Sequence, residues 1–251
     1  MSDDEKRAAV IAPRFLLNYV MKLNQRLGSV AGFIRKDANV ADIGSDHGYL
    51  PVYLALNNNT RRIIASDISR NSLKAAMRSA EKYGVADKIE FIVTDGMKGM
   101  DNTNIDTIVI AGMGGETISK ILSEAPWTKT CDIDVILQPQ TKVDILCLWL
   151  HDNGYRLRGA KLAREKGKTY IIMLVGGIDE YNATQINNEF IPEIELISVL
   201  INEKDPLYDS YMSELISKSQ KAADGMMQSD ANRYAWMNRR IEILTTLRDN
   251  V

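Results

Sequence analysis

The chain has 251 residues, 45% of them hydrophobic, enough for one large domain, or one domain with an appendage, around a real core. Its net charge of −2 excludes a uniformly basic nucleic-acid binder, although residues 180–251 hold 7 Lys and Arg against 12 Asp and Glu, which leaves the first part net positive and able to offer an anionic partner a modest basic patch. Two cysteines, Cys131 and Cys147, exclude a disulfide framework and fit a reducing cytoplasm, and with only two histidines they argue against a dedicated zinc site.

Met1 to Arg7 are charged and no long apolar run follows, so no secretion signal is expected, and no run approaches a membrane span. Residues 11–36 are predicted helical. Pro13 suits a first turn, and Phe15, Leu16, Tyr19, Val20, Leu23, Leu27, Val30 and Ile34 form a stripe at steps of three and four. Apolar runs then alternate with helical segments. The runs are Val40–Ile43, Ile63–Ser66, Ile89–Val93, Ile105–Ile110 and Ile133–Leu137; the helices are about Pro51–Asn57, Ser69–Tyr83, Gly115–Ser123 and Lys142–His151. This alternation predicts an α/β fold with a parallel sheet covered on both faces. Tyr155–Arg164 and Lys168–Val175 break the pattern, because Glu165-Lys166-Gly167 joins them as a hairpin. Five parallel strands followed by a hairpin predict a Rossmann-like class I methyltransferase sheet, whose last strand inserts antiparallel.

From about Asp179 the strands stop, which predicts a boundary between a first domain, 1–178, and a helical tail, 179–251. Pro192 opens a helix carrying Ile194, Ile197, Leu200 and Ile201, and Pro206 ends it. Two later stripes, Tyr208/Tyr211/Leu215/Ala222 and Tyr234/Met237/Ile241/Leu244, predict an antiparallel helical hairpin or short coiled coil, with a turn near Asp224-Gly225. Such an arm would help to hold a large partner through Lys218, Lys221, Arg239 and Arg240, or serve as a dimerisation or stability element.

The chemistry concentrates in Asp42-Ile43-Gly44-Ser45-Asp46-His47-Gly48-Tyr49-Leu50-Pro51. A strand that ends in an acid, turns on glycine and opens a helix brings bare backbone and free N–H groups to a ligand. Asp67, 23 residues past Gly44 at the end of the second run, lies where a ribose-binding carboxylate belongs; otherwise it is a helix N-cap. A dinucleotide fingerprint needs glycine where this chain has Asp46, whose carboxylate would repel a pyrophosphate but tolerate the amino and sulfonium groups of S-adenosylmethionine. Asp42 would act on the methionine side. Asp95 would accept from the adenine amine beside Gly96, unless Asp95-Gly96 is a plain turn. Ala111-Gly112-Met113-Gly114-Gly115 leaves bare backbone that admits a flat base, or is a tight connection. Gln138-Pro139-Gln140 ends the fifth run on the same rim, either contacting a base edge or turning. His47 reads as a hydrogen-bonding loop residue before a general base.

Asp42–Pro51, Ala65-Ser66-Asp67-Ile68, Ala111–Gly115 and Leu137–Gln140, together with Leu23-Asn-Gln-Arg-Leu27 and Glu165-x-Gly-Lys-x-Tyr170, resemble the bacterial tRNA (adenine-22, N1)-methyltransferases from about residue 23 to 178. The chain departs from that family at Gly48, where alanine is the commoner residue. The resemblance implies methylation of N1 of an adenine in the tRNA D-arm, a tRNA partner, S-adenosylmethionine as cofactor, no metal and no membrane; a monomer is the default. Residue reading and resemblance together place cofactor contacts on Asp42, Gly44, His47, Gly48, Asp67, Ile68, Asp95, Gly96, Gly112, Met113 and Gly114. Substrate contacts fall on Arg26, Gly115, Gln138 and Pro139, and Asp46 is the catalytic candidate, a carboxylate that would steady the cationic product. The competing readings are the same fold acting on another RNA, a protein or a small molecule, and a noncatalytic adenosine- or RNA-binding module. A nicotinamide dehydrogenase ranks last because of Asp46.

Overall fold

The computed structural model describes residues 21–57, 59–101, 104–130, 132–177, 190–227 and 230–250. The order is α1 (Gln25–Ala31), β1 (Ala38–Ile43), α2 (Tyr49–Asn57), β2 (Thr60–Asp67), α3 (Arg70–Lys82), β3 (Glu90–Val93), β4 (Thr107–Gly114), α4 (Gly115–Ser123), β5 (Asp134–Thr141) and α5 (Val143–Asp152), followed by β6 (Tyr155–Glu165) and β7 (Lys168–Gly177). Three helices complete the chain: α6 (Ile191–Asn202), α7 (Tyr208–Met226) and α8 (Ala231–Asp249). The strands form one seven-stranded sheet in the order β3-β2-β1-β4-β5-β7-β6. β1 to β5 run parallel, and β7 inserts antiparallel between β5 and β6, as the sequence predicts.

Both faces of the sheet are covered. Val40, Val109 and Ile136 pack on one side with Val30 of α1, Leu50 and Leu54 of α2 and Ala80 of α3. Ala41, Ile108, Ile110, Val135 and Leu137 pack on the other with Ile118 and Leu122 of α4 and Leu146 of α5. Every residue of β1 is buried, so its sequence shows no polar–apolar alternation.

The tail joins this second face. Leu196, Ile197 and Leu200 of α6, Tyr211 and Met212 of α7 and Leu244 of α8 belong to the same core as β5 and α5. α7 and α8 are antiparallel: the Tyr208 hydroxyl donates to the Leu247 carbonyl at 3.0 Å, and Arg240 Nη1 donates to Ser219 Oγ at 2.8 Å. The expected domain boundary at 178/179 lies outside the described residues.

Three sequence expectations change. The helix expected over 11–36 is confined, among the described residues, to Gln25–Ala31, because the Asn24 side chain accepts from Leu27 N–H and starts the helix there; residues 11–20 lie outside the described set. Asp224-Gly225 lies inside α7, which runs on to Met226, and the side chain of Asp230 caps α8. Arg240 is buried, and its guanidinium forks onto Glu193 at 2.6 and 2.8 Å, so it is not a cation available to a partner; Lys218, Lys221 and Arg239 remain exposed.

That pair fastens α8 to α6. Arg240→Ala strands the Glu193 carboxylate in the core and is expected to lower the unfolding free energy by about 3–5 kcal/mol, whereas Arg239→Ala on the exposed side should stay within about 0.5 kcal/mol. Denaturant titration of both variants checks the contrast.

Candidate active site

The strand order reverses between β1 and β4, and a crevice opens there beyond the carboxyl ends of the parallel strands. β1 ends at Ile43, and the chain swings away at Gly44 with φ +77°. That left-handed φ is what favours glycine here, and a Cβ would also displace the flexible end of Met113. The N–H groups of Gly44 and Ser45 both donate to the Ser66 carbonyl, at 2.8 and 2.9 Å, and this ties the turn to the end of β2.

Asp42 is buried below this turn, and its Oδ2 accepts from the Ser45 hydroxyl at 2.7 Å. Burial pushes its carboxyl up to about 6; the Ser45 hydrogen bond opposes that rise and the nearby charge of Asp67 adds to it. Asp67 ends β2, with one carboxylate oxygen accepting from Ser69 N–H at 2.7 Å and the other from Asp46 N–H at 3.4 Å. The N-cap of α3 is therefore Ser69, whose hydroxyl accepts from Ser72 N–H, and not Asp67.

A cleft of about 270 Å³ collects Gly44, Asp67, Ile68, Asp95, Gly96 and Met113 from the predicted residues. Its far wall is one face of α4 and its C-terminal end, Thr117, Lys120, Ile121 and Glu124, at steps of three and four. That wall was readable as a helix face, but nothing in its residue types marks it as a ligand surface. Asp95 is exposed and paired with Lys98 at 2.8 Å; hydrogen bonding from that ammonium holds its carboxyl below the usual range.

Other predicted residues sit apart from the cleft wall. Asp46 and His47 stand on the rim, with His47 Nε2 3.6 Å from the Asp46 carboxylate and the His47 ring tilted on Tyr49. Gly48 is buried where α2 meets α3: a Cβ there would lie 2.8 Å from that of Ala76, which opposes the alanine the resemblance favours. Gly115 is buried against the Lys142 carbonyl and Leu146, so its small size serves the close approach of α4 and α5 and offers nothing to a substrate.

The glycine-rich segment after Ile110 is not a loop. β4 continues through Gly114, with one bulge at Gly112 and one in β5 at Gln140, Met113 pairing with the buried Pro139 and Gly114 with Thr141. The bulges turn Met113 toward Gly44 and leave Gly112, at φ +84°, bordering Gln140 and Arg26.

Three quoted motifs meet on that side. Arg26 Nη1 donates to Gln138 Oε1 at 2.6 Å, Arg26 Nε donates to Glu165 at 3.1 Å, and its guanidinium lies 5.8 Å from the centre of the Tyr170 ring. Asn24 also donates to Glu165, at 3.0 Å. Gln138 is fully buried with both ends of its amide engaged, the second on the Pro139 carbonyl. It therefore anchors Arg26 and presents no free edge to a base.

The raised Asp42 carboxyl has a consequence for stability. The fold favours its protonated form, so the stability it contributes is fully present below about pH 4, the unfolded value, and is lost as pH rises to about 6. The whole step is about 3 kcal/mol at 1.36 kcal/mol per unit. Asp42→Asn should remove that slope, and unfolding free energies of both proteins between pH 4 and 7 measure it.

A family model described as a methyltransferase domain matches residues 23–173. The tRNA (adenine(22)-N(1))-methyltransferase of Bacillus subtilis is 36% identical over 154 residues, 61% of this chain and 65% of that protein, just under two thirds of its length. Among solved structures, the B. subtilis M1A22 tRNA methyltransferase TrmK matches with a TM-score of 0.76 at 28% identity, over 91% of this chain and 99% of that one. TrmK of M. capricolum, solved with the cofactor product S-adenosyl-homocysteine, matches with a TM-score of 0.73 at 29% identity, over 90% and 98%.

Proposed function

The chain belongs to the methyltransferase domain family, and from that premise we propose that it transfers a methyl group from S-adenosylmethionine to N1 of an adenine in tRNA, at position 22 in the D-arm. The observation that carries the reading is the acid–glycine–acid set, Asp42, Gly44 and Asp67, gathered at the carboxyl ends of β1 and β2 in a sheet that matches tRNA methyltransferases along nearly its whole length.

The residues present fit that cofactor. Gly44 gives bare backbone beside Met113, Asp67 brings carboxylate oxygens for ribose hydroxyls, and Asp95 and Gly96 close the far end toward α4. An acidic set suits a ligand that carries positive amino and sulfonium groups and rejects a pyrophosphate. S-adenosylmethionine, when bound, supplies an electrophilic methyl group.

The chain's own work is mostly positioning. Adenine N1 already carries a lone pair, so no strong general base is required, and exposed His47 is left as a loop residue. The base must leave its stack and be held with N1 in line with the methyl group, a task of orientation. Asp46 is the carboxylate on the rim that steadies the positive charge methylation leaves on the ring. Its side chain is 67% exposed, so solvent keeps its contribution small. The chemistry calls for no metal. A tRNA substrate makes the cytoplasm the place of work, and among the described residues no helix is long and apolar enough to cross a membrane.

The decisive experiment incubates the protein with S-adenosylmethionine and tRNA and maps methylated nucleosides by mass spectrometry. The expected product is 1-methyladenosine at one D-arm position, absent when that adenine is replaced; transfer only to protein or small molecules favours the rival substrate class. In calorimetry, Asp67→Ala should weaken cofactor binding by about 1–3 kcal/mol, because it removes the partner of buried ribose hydroxyls. Wild-type affinity in that variant rejects the ribose assignment.

A further inference from the structure

We propose that Gln140 reads the target base: its amide oxygen accepts from the exocyclic amine of the adenine and so selects adenine at the moment of methyl transfer. This rests on the reading of the chain as an adenine-N1 methyltransferase and names the residue that recognises the substrate.

Gln138 bonds Arg26, and Gln140, the unpaired residue of a bulge in β5, borders Gly112 beside the same guanidinium, so both glutamines stand on the Arg26 side of the rim. They have opposite fates. Gln138 is fully buried and both ends of its amide are bonded, to Arg26 and to the Pro139 carbonyl. Gln140 is exposed at the strand's end, and its amide makes no hydrogen bond to any described residue. Of the two glutamines on this rim, only Gln140 keeps a donor and an acceptor for a ligand.

Gly112 leaves a gap beside Gln140. Opposite it the bulge in β4 presents Gly112 with no side chain. A Cβ at Gly112 would lie 3.6 Å from Gln140 Nε2 and 3.7 Å from Arg26 Nη1, so both groups border the space that the glycine leaves open. Arg26 is held from below by Gln138 and from the side by Glu165, which leaves it a fixed wall. The adjacent residue, Met113, reaches the other way, to the turn at Gly44 in the cleft. A flat base resting on Gly112 is therefore one residue away from Met113 and the cofactor side, at the end of β4, where its N1 can face the methyl group directly.

The chemistry assigns the contact. A base whose N1 faces the methyl group presents the neighbouring 6-substituent beside it. In adenine this is an amine that donates; in guanine it is an oxygen, and N1 itself carries a proton. With its amide turned so that the oxygen replaces the Nε2 now bordering Gly112, Gln140 accepts from the adenine amine; guanine is refused at N1, which holds a proton instead of a lone pair.

The test compares two tRNA substrates, one with adenosine and one with purine riboside at the methylated position. Purine keeps the N1 lone pair and lacks only the amine. For Gln140→Ala, kcat/KM on the adenosine tRNA should fall about tenfold, the loss of one hydrogen bond, while kcat/KM on the purine tRNA and the cofactor Kd stay at wild-type values. Gln140→Glu keeps an acceptor and should retain the preference for adenosine over purine. The inference is overturned if Gln140→Ala methylates adenosine tRNA at the wild-type rate, or loses activity equally on both substrates. If the wild-type protein forms no 1-methyladenosine at all, the parent reading fails as well, and the two failures are told apart by the wild-type lane alone.

Discussion

Covering a parallel sheet on both faces governs where chemistry can occur in this protein. β1, β4 and β5 lie in the middle of the sheet with helices above and below, so their interiors admit apolar or fully bonded side chains only. Polar groups can reach a ligand only where the strands run out. The candidate residues obey that rule: Gly44 follows β1, Asp67 ends β2, Asp95 and Gly96 follow β3, Gly112 and Met113 end β4, and Gln140 ends β5. Asp42 is the exception, an acid one residue inside the strand, and burial raises its carboxyl to about 6. The same constraint brings Met113, on the cofactor side, and Gly112 with Gln140 next to one another at the ends of β4 and β5.

Much of this was legible in the sequence, and the limits have physical causes. Strand–helix alternation and the hairpin after α5 gave the sheet and its antiparallel strand, because apolar runs and glycine turns are local signals. The ends of strands were less legible. The run at Ile105–Ile110 appeared to stop at the glycines, yet β4 continues to Gly114, since a bulged strand can keep pairing through residues that on their own favour a turn. The acid–glycine–acid motif led to the cleft, but its spacing did not separate residues that line it, such as Gly44 and Asp67, from those that pack beside it, such as Gly48 and Gly115. The distinction rests on contacts with Ala76 and Lys142, both far along the chain. Likewise nothing local distinguishes Gln138 from Gln140; only Arg26, more than a hundred residues earlier, separates a buried anchor from a free amide. In the tail, Arg240 and Arg239 are neighbours of identical type, and only the fork onto Glu193 shows which is structural.

The tail's stripes predict an antiparallel helical hairpin or short coiled coil, and the tail carries further apolar residues beside them. Part of that apolar surface instead packs onto α5 and the sheet, with Leu196, Ile197, Leu200 and Met212 fully or nearly fully buried there. Cys147 is caught in the same layer, its thiol pushed far above the usual range by burial, which leaves it unreactive. The helical arm and the sheet therefore share one core, and the arm's direction is set by the helix that follows the Gln138–Gln140 rim.

The position of β7 also has a bearing on how the chain emerges during synthesis. β5 pairs with β7, and β6 pairs only with β7, so the strand made first after α5 cannot close the open edge. From the time β5 leaves the ribosome until β7 has followed it, the nascent sheet exposes an apolar edge, Val135 to Leu137, flanked by a β6 that has no partner. An unpaired edge of this kind invites pairing with other chains. The cations spaced along β6, Arg156, Arg158, Lys161 and Arg164, put repulsive charge on the waiting strand during that interval, and they stay on the outer edge of the finished sheet.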